Sequence, residues 1–430
     1  MAALLVFGIF IVLIIIGVPI GISLGTAGIG AIVNFGLGIP MISRNFEANI
    51  SKFPLIAIPF FILAGTLMDK AKIVDGISRF IILLVGKRRG GLAVAGVITC
   101  IFWGAVSGSG PATAAALGLV FIMPMIKQGY NKYFAAATIA AGAGLSIVIP
   151  PSIAFIVYGN LTNVSVGALF LGGILPGVLV GLFLIGVVYI ISRRNNFRGA
   201  DESGTPKEIL KAFVGSFWAL LAPVIILGSI YAGIATPTES AIIGVFYALF
   251  VGVFIYRTIT INVLFQAMAD TVVGSAVVMF VVSMAGIFSW AASTLGVIDA
   301  AAGLVSSLTT NKLVFMFLTM VIVLIAGMFL DAISIMYVFM PIIMPALAAL
   351  HIDPLYFGIC LTVALAIGQI TPPVAVNLYV TANLIKSNID NEMIKFVLPM
   401  VYAAVFALVV IVLIPRISLY LPLLSKLYTP

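Results

Sequence analysis

The sequence predicts an all-α integral membrane protein: two inverted repeats of about five transmembrane helices each, with two re-entrant hairpins and two helices unwound at Pro-Pro pairs. Three observations predict it. Of 430 residues, 63% are hydrophobic and 8% charged, with a mean hydropathy of +1.31, far outside the range of soluble globular chains. Apolar runs fill the chain, and its longest polar stretch, Ser192 to Lys211, is too short to fold as a ligand- or nucleotide-binding domain. A set of local motifs in the first half also returns in the same order in the second.

The first repeat, residues 1–200, holds crossings at about 4–18, 20–38, 53–69, 133–161 and 167–192. Met1 to Ser23 lacks the basic start of a signal peptide and reads as a retained first helix. Between the third and fourth crossings lie apolar runs at about 92–106 and 111–126, shorter than the roughly 20 residues that a crossing needs. Small and polar residues separate them, so they read as a re-entrant hairpin over about 92–126. The second repeat, 208–430, has crossings at about 216–233, 237–256, 271–295, 355–385 and 396–415. Its hairpin spans about 313–349.

Pro150-Pro151 recurs as Pro372-Pro373, Phe121-Ile-Met-Pro as Ile342-Ile-Met-Pro, and Ile73-Val-Asp as Val297-Ile-Asp, all at nearly constant spacing. Five crossings per half is an odd number, which forces the second repeat to insert upside down. Charge gives the same answer. With both termini outside, 16 of the 21 Lys and Arg fall in the cytoplasmic segments 70–89, 127–132, 193–211, Arg257 and 386–395. Arg44, Lys52, Lys312, Arg416 and Lys426 lie outside. The first hairpin then enters from the cytoplasm and the second from the exterior. The net charge of +8 thus reads as a topology signal and not as a nucleic-acid groove.

Chemistry concentrates where helices break. The first hairpin turns at Ser107-Gly108-Ser109-Gly110-Pro111, where hydroxyls offer ligands and the free N–H groups of the descending helix attract an anion. The same residues also suit a plain tight turn. Each Pro-Pro pair removes two N–H donors, freeing the carbonyls of Ser146 and Ile147 in one half and of Gly368 and Gln369 in the other. Such carbonyls near the midplane suit Na⁺, although proline also kinks membrane helices without function. Asp331 is the best intramembrane charge, with Glu239 and Asp270 after it; Glu239 equally suits a cap on a helix beginning near Pro237. His351 reads as solvated in a loop, and Cys100 and Cys360 as buried small hydrophobes. The sequence has no phosphate loop, no G-x-S-x-G elbow and no His/Cys metal cluster, so ATP hydrolysis and the common hydrolase chemistries are excluded.

Ser107-Gly-Ser-Gly, Phe121-Ile-Met-Pro-Met, Gly129-Tyr, Ile149-Pro-Pro-Ser, Thr236-Pro-Thr-Glu, Asp353-Pro and Gly368-Gln-Ile-Thr-Pro-Pro-Val together resemble the large membrane subunit of tripartite ATP-independent periplasmic (TRAP) transporters. The resemblance covers essentially the whole chain. It implies an elevator-type secondary transporter in the bacterial inner membrane, with a separate small four-helix membrane subunit and a periplasmic substrate-binding protein. It further implies no cofactor, Na⁺ as coupling ion and an organic acid as substrate, of the sialic acid or C4-dicarboxylate class with a lean to sialic acid. Carried over by residue, the ion and substrate region falls on Ser107 to Gly110, Pro150, Pro151, Gly327, Asp331, Gly368, Thr371, Pro372, Pro373 and Asn377, beside the freed carbonyls named above. Na⁺ is expected at Ser107, Ser146, Gly327, Gly368 and Thr371. The family often has Gly two residues after its second Pro-Pro, where this chain has Ala375. The alternative is a stand-alone divalent-anion/Na⁺ symporter that needs no binding protein. An intramembrane protease is disfavoured by the lack of a membrane Asp pair.

Overall fold

A computed structural model describes residues 2–199 and 204–428, so the outermost repeat boundaries, residues 1, 200 and 430, lie outside the described residues. Every regular element among the described residues is helical. The chain opens with α1 (Ala2–Ile15), α2 (Ile20–Asn34), α3 (Pro40–Ile50), α4 (Ala57–Lys70) and α5 (Ile73–Val85). Next come α6 (Gly91–Ser107), α7 (Gly110–Lys127), α8 (Lys132–Gly144), α9 (Ile153–Thr162) and α10 (Val166–Arg194). The second half has α11 (Pro206–Tyr231), α12 (Pro237–Phe250), α13 (Ile261–Thr294), α14 (Val297–Leu308) and α15 (Lys312–Gly327). It closes with α16 (Ala332–Ala349), α17 (Pro354–Gly368), α18 (Val376–Leu384), α19 (Asn391–Leu413) and α20 (Arg416–Leu424).

Among the described residues, eight helical stretches are long and apolar enough to cross a bilayer. The chain is a multi-pass membrane protein. Several expected crossings take another form. The runs at about 133–161 and 355–385 are each two helices, α8 with α9 and α17 with α18, broken on either side of the Pro-Pro pairs. Both Pro-Pro bonds are cis. The helices α1 and α2 have only 14 and 15 residues, about 21 to 23 Å at 1.5 Å per residue. Four helices, α3, α5, α14 and α20, are absent from the hydropathy reading because each is short or mixes polar with apolar residues.

The helices sort into two packed groups. In one, α13 packs on α2, α3 and α4, while α12 packs on α4, and α11 on α5 and α12. In the other, α8 is wrapped by α6, α7, α18 and α19, and α17 by α10, α15 and α19. The core runs through both groups and is densest in the second, where every residue from Phe134 to Gly144 and from Leu355 to Gly368 is buried. The sequence of α8, rich in Ala and Gly, explains its central place, since small residues let neighbouring backbones come close where lipid supplies no hydrophobic drive between helices. The groups meet where α6 touches α4 and α5, and where α16 touches α13 and α14.

Element order recurs along the chain. A left-handed residue starts both α5 and α14, at Lys72 and Gly296, and each helix carries an acid at its third position, Asp75 and Asp299. A broken helix pair follows each, then a helix ending before a cis Pro-Pro, a short helix, and a long crossing.

Candidate functional site

The turn between α6 and α7 forms because Gly108 adopts φ +60°, a conformation that side chains disfavour, and Pro111 then fits the first turn of α7. Ser107 Oγ donates to the Ser109 carbonyl at 3.3 Å, and Ser109 caps α7 without a side-chain bond of its own. The tip packs directly on the first Pro-Pro break. A Cβ on Gly108 would come 2.8 Å from the Pro151 carbonyl, and one on Gly104 would meet Ser146 Cα at 2.9 Å. Ser146 Oγ donates to Thr113 Oγ1 at 2.9 Å, locking the break to α7.

The second half repeats this closeness with different groups. Gly327 and Gly368 meet backbone to backbone, so that a Cβ on Gly368 would stand 2.7 Å from Gly327 Cα. The Ala375 N–H reaches the Met328 carbonyl at 3.3 Å, tying the second break to the turn between α15 and α16. Asp331 N-caps α16: its Oδ1 accepts from the N–H groups of Ile333 and Ser334 at 3.0 Å, and its Oδ2 from Ser334 Oγ at 2.5 Å. Glu239 forms a capping box with Thr236, which assigns it to the end of α12.

Three of the four carbonyls expected to be freed have donors inside the chain. Ile147 accepts from Ser152 Oγ at 2.5 Å, Gly368 from the Thr371 N–H at 3.0 Å and Gln369 from the Asn377 N–H at 3.1 Å. A carbonyl retains a second lone pair, so these oxygens keep the capacity to face a cation. Thr371 Oγ1 donates to the Ile367 carbonyl at 2.6 Å, leaving its own lone pairs open.

The two halves meet at Gly110. A Cβ there would lie 2.6 Å from Gln369 Oε1 and 2.9 Å from Asn377 Oδ1. Asn377 is fully buried and Gln369 nearly so, and among the described residues Gln369 Oε1 and both polar side-chain atoms of Asn377 lack a hydrogen-bond partner. Buried polar groups are usually paired, so two amides without partners side by side are an unusual feature of this region. Beside them a cavity of about 350 Å³ is lined by Ser109, Gly110, Ile147, Asp331 and Gln369, with Val278 and Val281 of α13 closing it. A neighbouring cavity of about 400 Å³ shares Ser109 and runs past Ser107 to Lys70 and Asp270, which pair at 3.2 Å.

The structure thus gathers Ser107 to Gly110, Ser146, Ile147, Pro151, Gly327, Asp331, Gly368, Gln369 and Asn377 into one region. The breaks differ in setting: Pro150 and Pro151 are buried, whereas Pro373 and Val374 are exposed. Thr113 and the valines of α13 were not legible as site residues, because a hydroxyl within an apolar helix and a valine in an apolar run carry no local signal. Among the described residues no group of three or more His, Cys, Asp or Glu is placed to hold a metal ion.

The model of the tripartite ATP-independent periplasmic transporter family, DctM component, matches residues 7–417. The chain belongs to this family. It is similar to the C4-dicarboxylate TRAP transporter large permease protein DctM of Vibrio cholerae, 38% identical over 446 residues, covering 99% of this chain and 98% of that one. The isethionate TRAP transporter permease protein DctMQ of Oleidesulfovibrio alaskensis is 38% identical over 96% of this chain, which spans 65% of that relative's length. The sialic acid TRAP transporter large permease protein SiaM of Vibrio cholerae is 31% identical over 95% of this chain and 96% of its own. The crystal structure of the YdaH transporter of Alcanivorax borkumensis shares the fold, with a TM-score of 0.62 over 88% of each chain at 14% identity. As a TRAP large permease component, the chain is a transport protein of the bacterial inner membrane and not an enzyme.

Proposed function

We propose that this chain performs Na⁺-coupled uptake of an organic acid, delivered by a periplasmic binding protein and carried beside a small four-helix membrane subunit. In this reading residues 1–200 and 208–430 are inverted repeats with both termini periplasmic. The hairpin at about 92–126 enters from the cytoplasm and the one at about 313–349 from the exterior. The group centred on α8 and α17 is the moving part of an elevator, and the group around α13 its scaffold. The observation that carries the reading is the convergence of the first hairpin tip, Asp331 and Gln369 on one cavity between the two groups, with Asn377 packed beside Gln369 at Gly110.

Oxygen atoms of Ser107, Ser146, Gly327, Gly368 and Thr371 are the Na⁺ ligands in this proposal. Neutral oxygens with few acids suit Na⁺ better than a proton relay, and the one acid at the cavity, Asp331, already spends both oxygens on its cap. The free first-turn N–H groups of α7 face the substrate's acid group. Identity to a C4-dicarboxylate relative at 38% against 31% for a sialic acid relative favours a C4-dicarboxylate over sialic acid.

Proteoliposomes holding the chain and its small subunit, offered labelled succinate, N-acetylneuraminate or isethionate with the matching binding protein, test this. Uptake is expected only with Na⁺ and binding protein together. Thr371→Ala and Ser107→Ala are expected to raise the half-saturating Na⁺ concentration severalfold. Uptake driven by a proton gradient without Na⁺ sinks the coupling, and a rate indifferent to the binding protein makes the stand-alone symporter the better reading.

A further inference from the structure

The polar stretch that follows α10 folds back across the turn between α5 and α6. The Gly90 N–H donates to the Phe197 carbonyl at 3.2 Å, and Arg89 Nη1 donates to Asn196 Oδ1 at 3.4 Å. Gly90, at φ +73°, has no room for a side chain beside Ser192, and Gly199 lies directly on the main-chain carbonyls of Gly86, Lys87 and Arg88. The buried Phe197 ring anchors the segment from within, its centroid 4.8 Å from that of Tyr130 and 5.2 Å from that of Phe134 in the buried helix α8.

This fold-back sets Lys87, Arg88 and Arg89 beside Arg193, Arg194 and Arg198, all six exposed, although Arg89 and Asn196 are 107 residues apart in the chain. A charge bias between the two sides of a membrane needs only that basic residues lie on one side; it does not require distant ones to share a surface. Neither ion pair among the described residues, Lys70 with Asp270 or Lys395 with Glu392, involves the six. The next acids in the chain, Asp201 and Glu202, lie outside the described residues, and with both counted the two runs still hold six basic side chains against two acids. Just ahead of each run the helix end is apolar and exposed, at Leu84 on α5 and at Tyr189 and Ile190 on α10.

We propose that this surface binds the phosphate headgroup of an anionic phospholipid, whose acyl chains lie along Leu84 and Ile190. Clusters of about four to eight basic residues at the ends of membrane helices draw anionic lipid, and five of the six here are arginines, whose planar forks take phosphate oxygens through paired N–H bonds. The order apolar and then basic, repeated at both helix ends, puts the charges at the edge of the hydrocarbon layer. That is the depth of lipid phosphates, whereas a free anion or a nucleic acid is met farther out in water. The headgroup held there bridges α5, which packs on α11, and the ends of α6 and α10, so it ties the two helix groups at one joint. The site depends on the membrane setting alone and on no assignment of substrate or ion.

The test titrates the purified complex of chain and small subunit, in detergent, with dioctanoyl phosphatidylglycerol, following bound lipid by native mass spectrometry and the melting midpoint. Dioctanoyl phosphatidylcholine supplies tails with a neutral headgroup, and glycerol 3-phosphate supplies the phosphate without tails. Phosphatidylglycerol is expected to bind and to raise the midpoint by several degrees, and the other two to do neither. Arg88→Gln combined with Arg194→Gln should raise the half-saturating phosphatidylglycerol concentration about tenfold, and the corresponding pair of Lys substitutions only about threefold. Arg257→Gln combined with Lys386→Gln removes equal charge from two other exposed positions and should leave it unchanged. If the first pair lowers the lipid-free midpoint, Arg198→Gln alone, at an exposed loop position, should still raise that concentration about threefold. Equal binding of phosphatidylcholine, an equal effect of glycerol 3-phosphate, or an equal loss in the Arg257 and Lys386 pair overturns the site.

Discussion

At single positions the site depends on the absence of side chains as much as on their presence. Gly368 and Gly327 let α17 and α15 touch backbone to backbone, and a methyl at Gly368 meets main-chain atoms that cannot swing aside. Gly368→Ala is expected to cost about 1–3 kcal/mol by overpacking, seen as a lower melting midpoint in detergent and lost uptake. Unchanged melting would show that the close approach relaxes freely. Ala375 presents the opposite case. It sits at φ +48° where the family often has glycine, and its N–H bridges to the Met328 carbonyl. The left-handed region costs a residue with a Cβ about 1–2 kcal/mol, so Ala375→Gly should stabilise the fold by a fraction of that, once the glycine's extra freedom in the unfolded chain is subtracted. Most Ala→Gly changes in buried segments destabilise, so the sign of the shift in melting midpoint decides the point.

Among elements, the two broken helix pairs reach similar geometry with unlike caps. The turn before α7 relies on Gly108 and on Pro111, whereas the turn before α16 relies on the Asp331 carboxylate. Asp331→Ala removes three accepted hydrogen bonds and is expected to destabilise by about 1 kcal/mol, while Asp331→Asn keeps an oxygen for the cap and should melt within a degree or so of wild type. Comparing their uptake separates the cap from the charge. If Asp331→Asn transports normally, the negative charge is dispensable and Asp331 acts through helix geometry alone. Between α9 and α17 the Tyr158 ring packs on Gly358 and its hydroxyl donates to the Pro354 carbonyl at 2.6 Å. Tyr158→Phe removes this bond while the carbonyl keeps the N–H of its own helix, and a loss of about 0.5–1.5 kcal/mol should follow in thermal melts.

For the whole molecule the open question of orientation has a direct test. The distribution of 16 basic residues against five puts Arg88 and Arg194 in the cytoplasm and Lys312 and Arg416 outside. Single cysteines at these positions, in intact cells with an impermeant thiol reagent, should label at 312 and 416 and stay silent at 88 and 194. Cys100 and Cys360 add no background, being fully buried. Labelling at 88 or 194 from outside would invert the assignment of the two hairpins to their sides of the membrane.

Class, membrane setting and the places where helices break were legible from the sequence itself, because each rests on a local property. Twenty apolar residues need a bilayer, and a Pro-Pro pair or a Ser-Gly-Ser-Gly-Pro run interrupts a helix wherever it falls. The recurrence of these breaks pointed to Ser107 to Gly110 and to the carbonyls beside each Pro-Pro pair, whereas Gly327 and Asn377 came from the family resemblance. The short amphipathic helices α3, α5, α14 and α20 escaped because hydropathy runs do not register mixed faces. What only the tertiary structure decided is which groups face one another. No pattern in the chain states that Gly110 backs onto Gln369 and Asn377, that Gly327 meets Gly368, or that Thr113 holds Ser146. Those pairings depend on packing between segments far apart in the chain, and packing is a property of surfaces that exist only once the helices have formed.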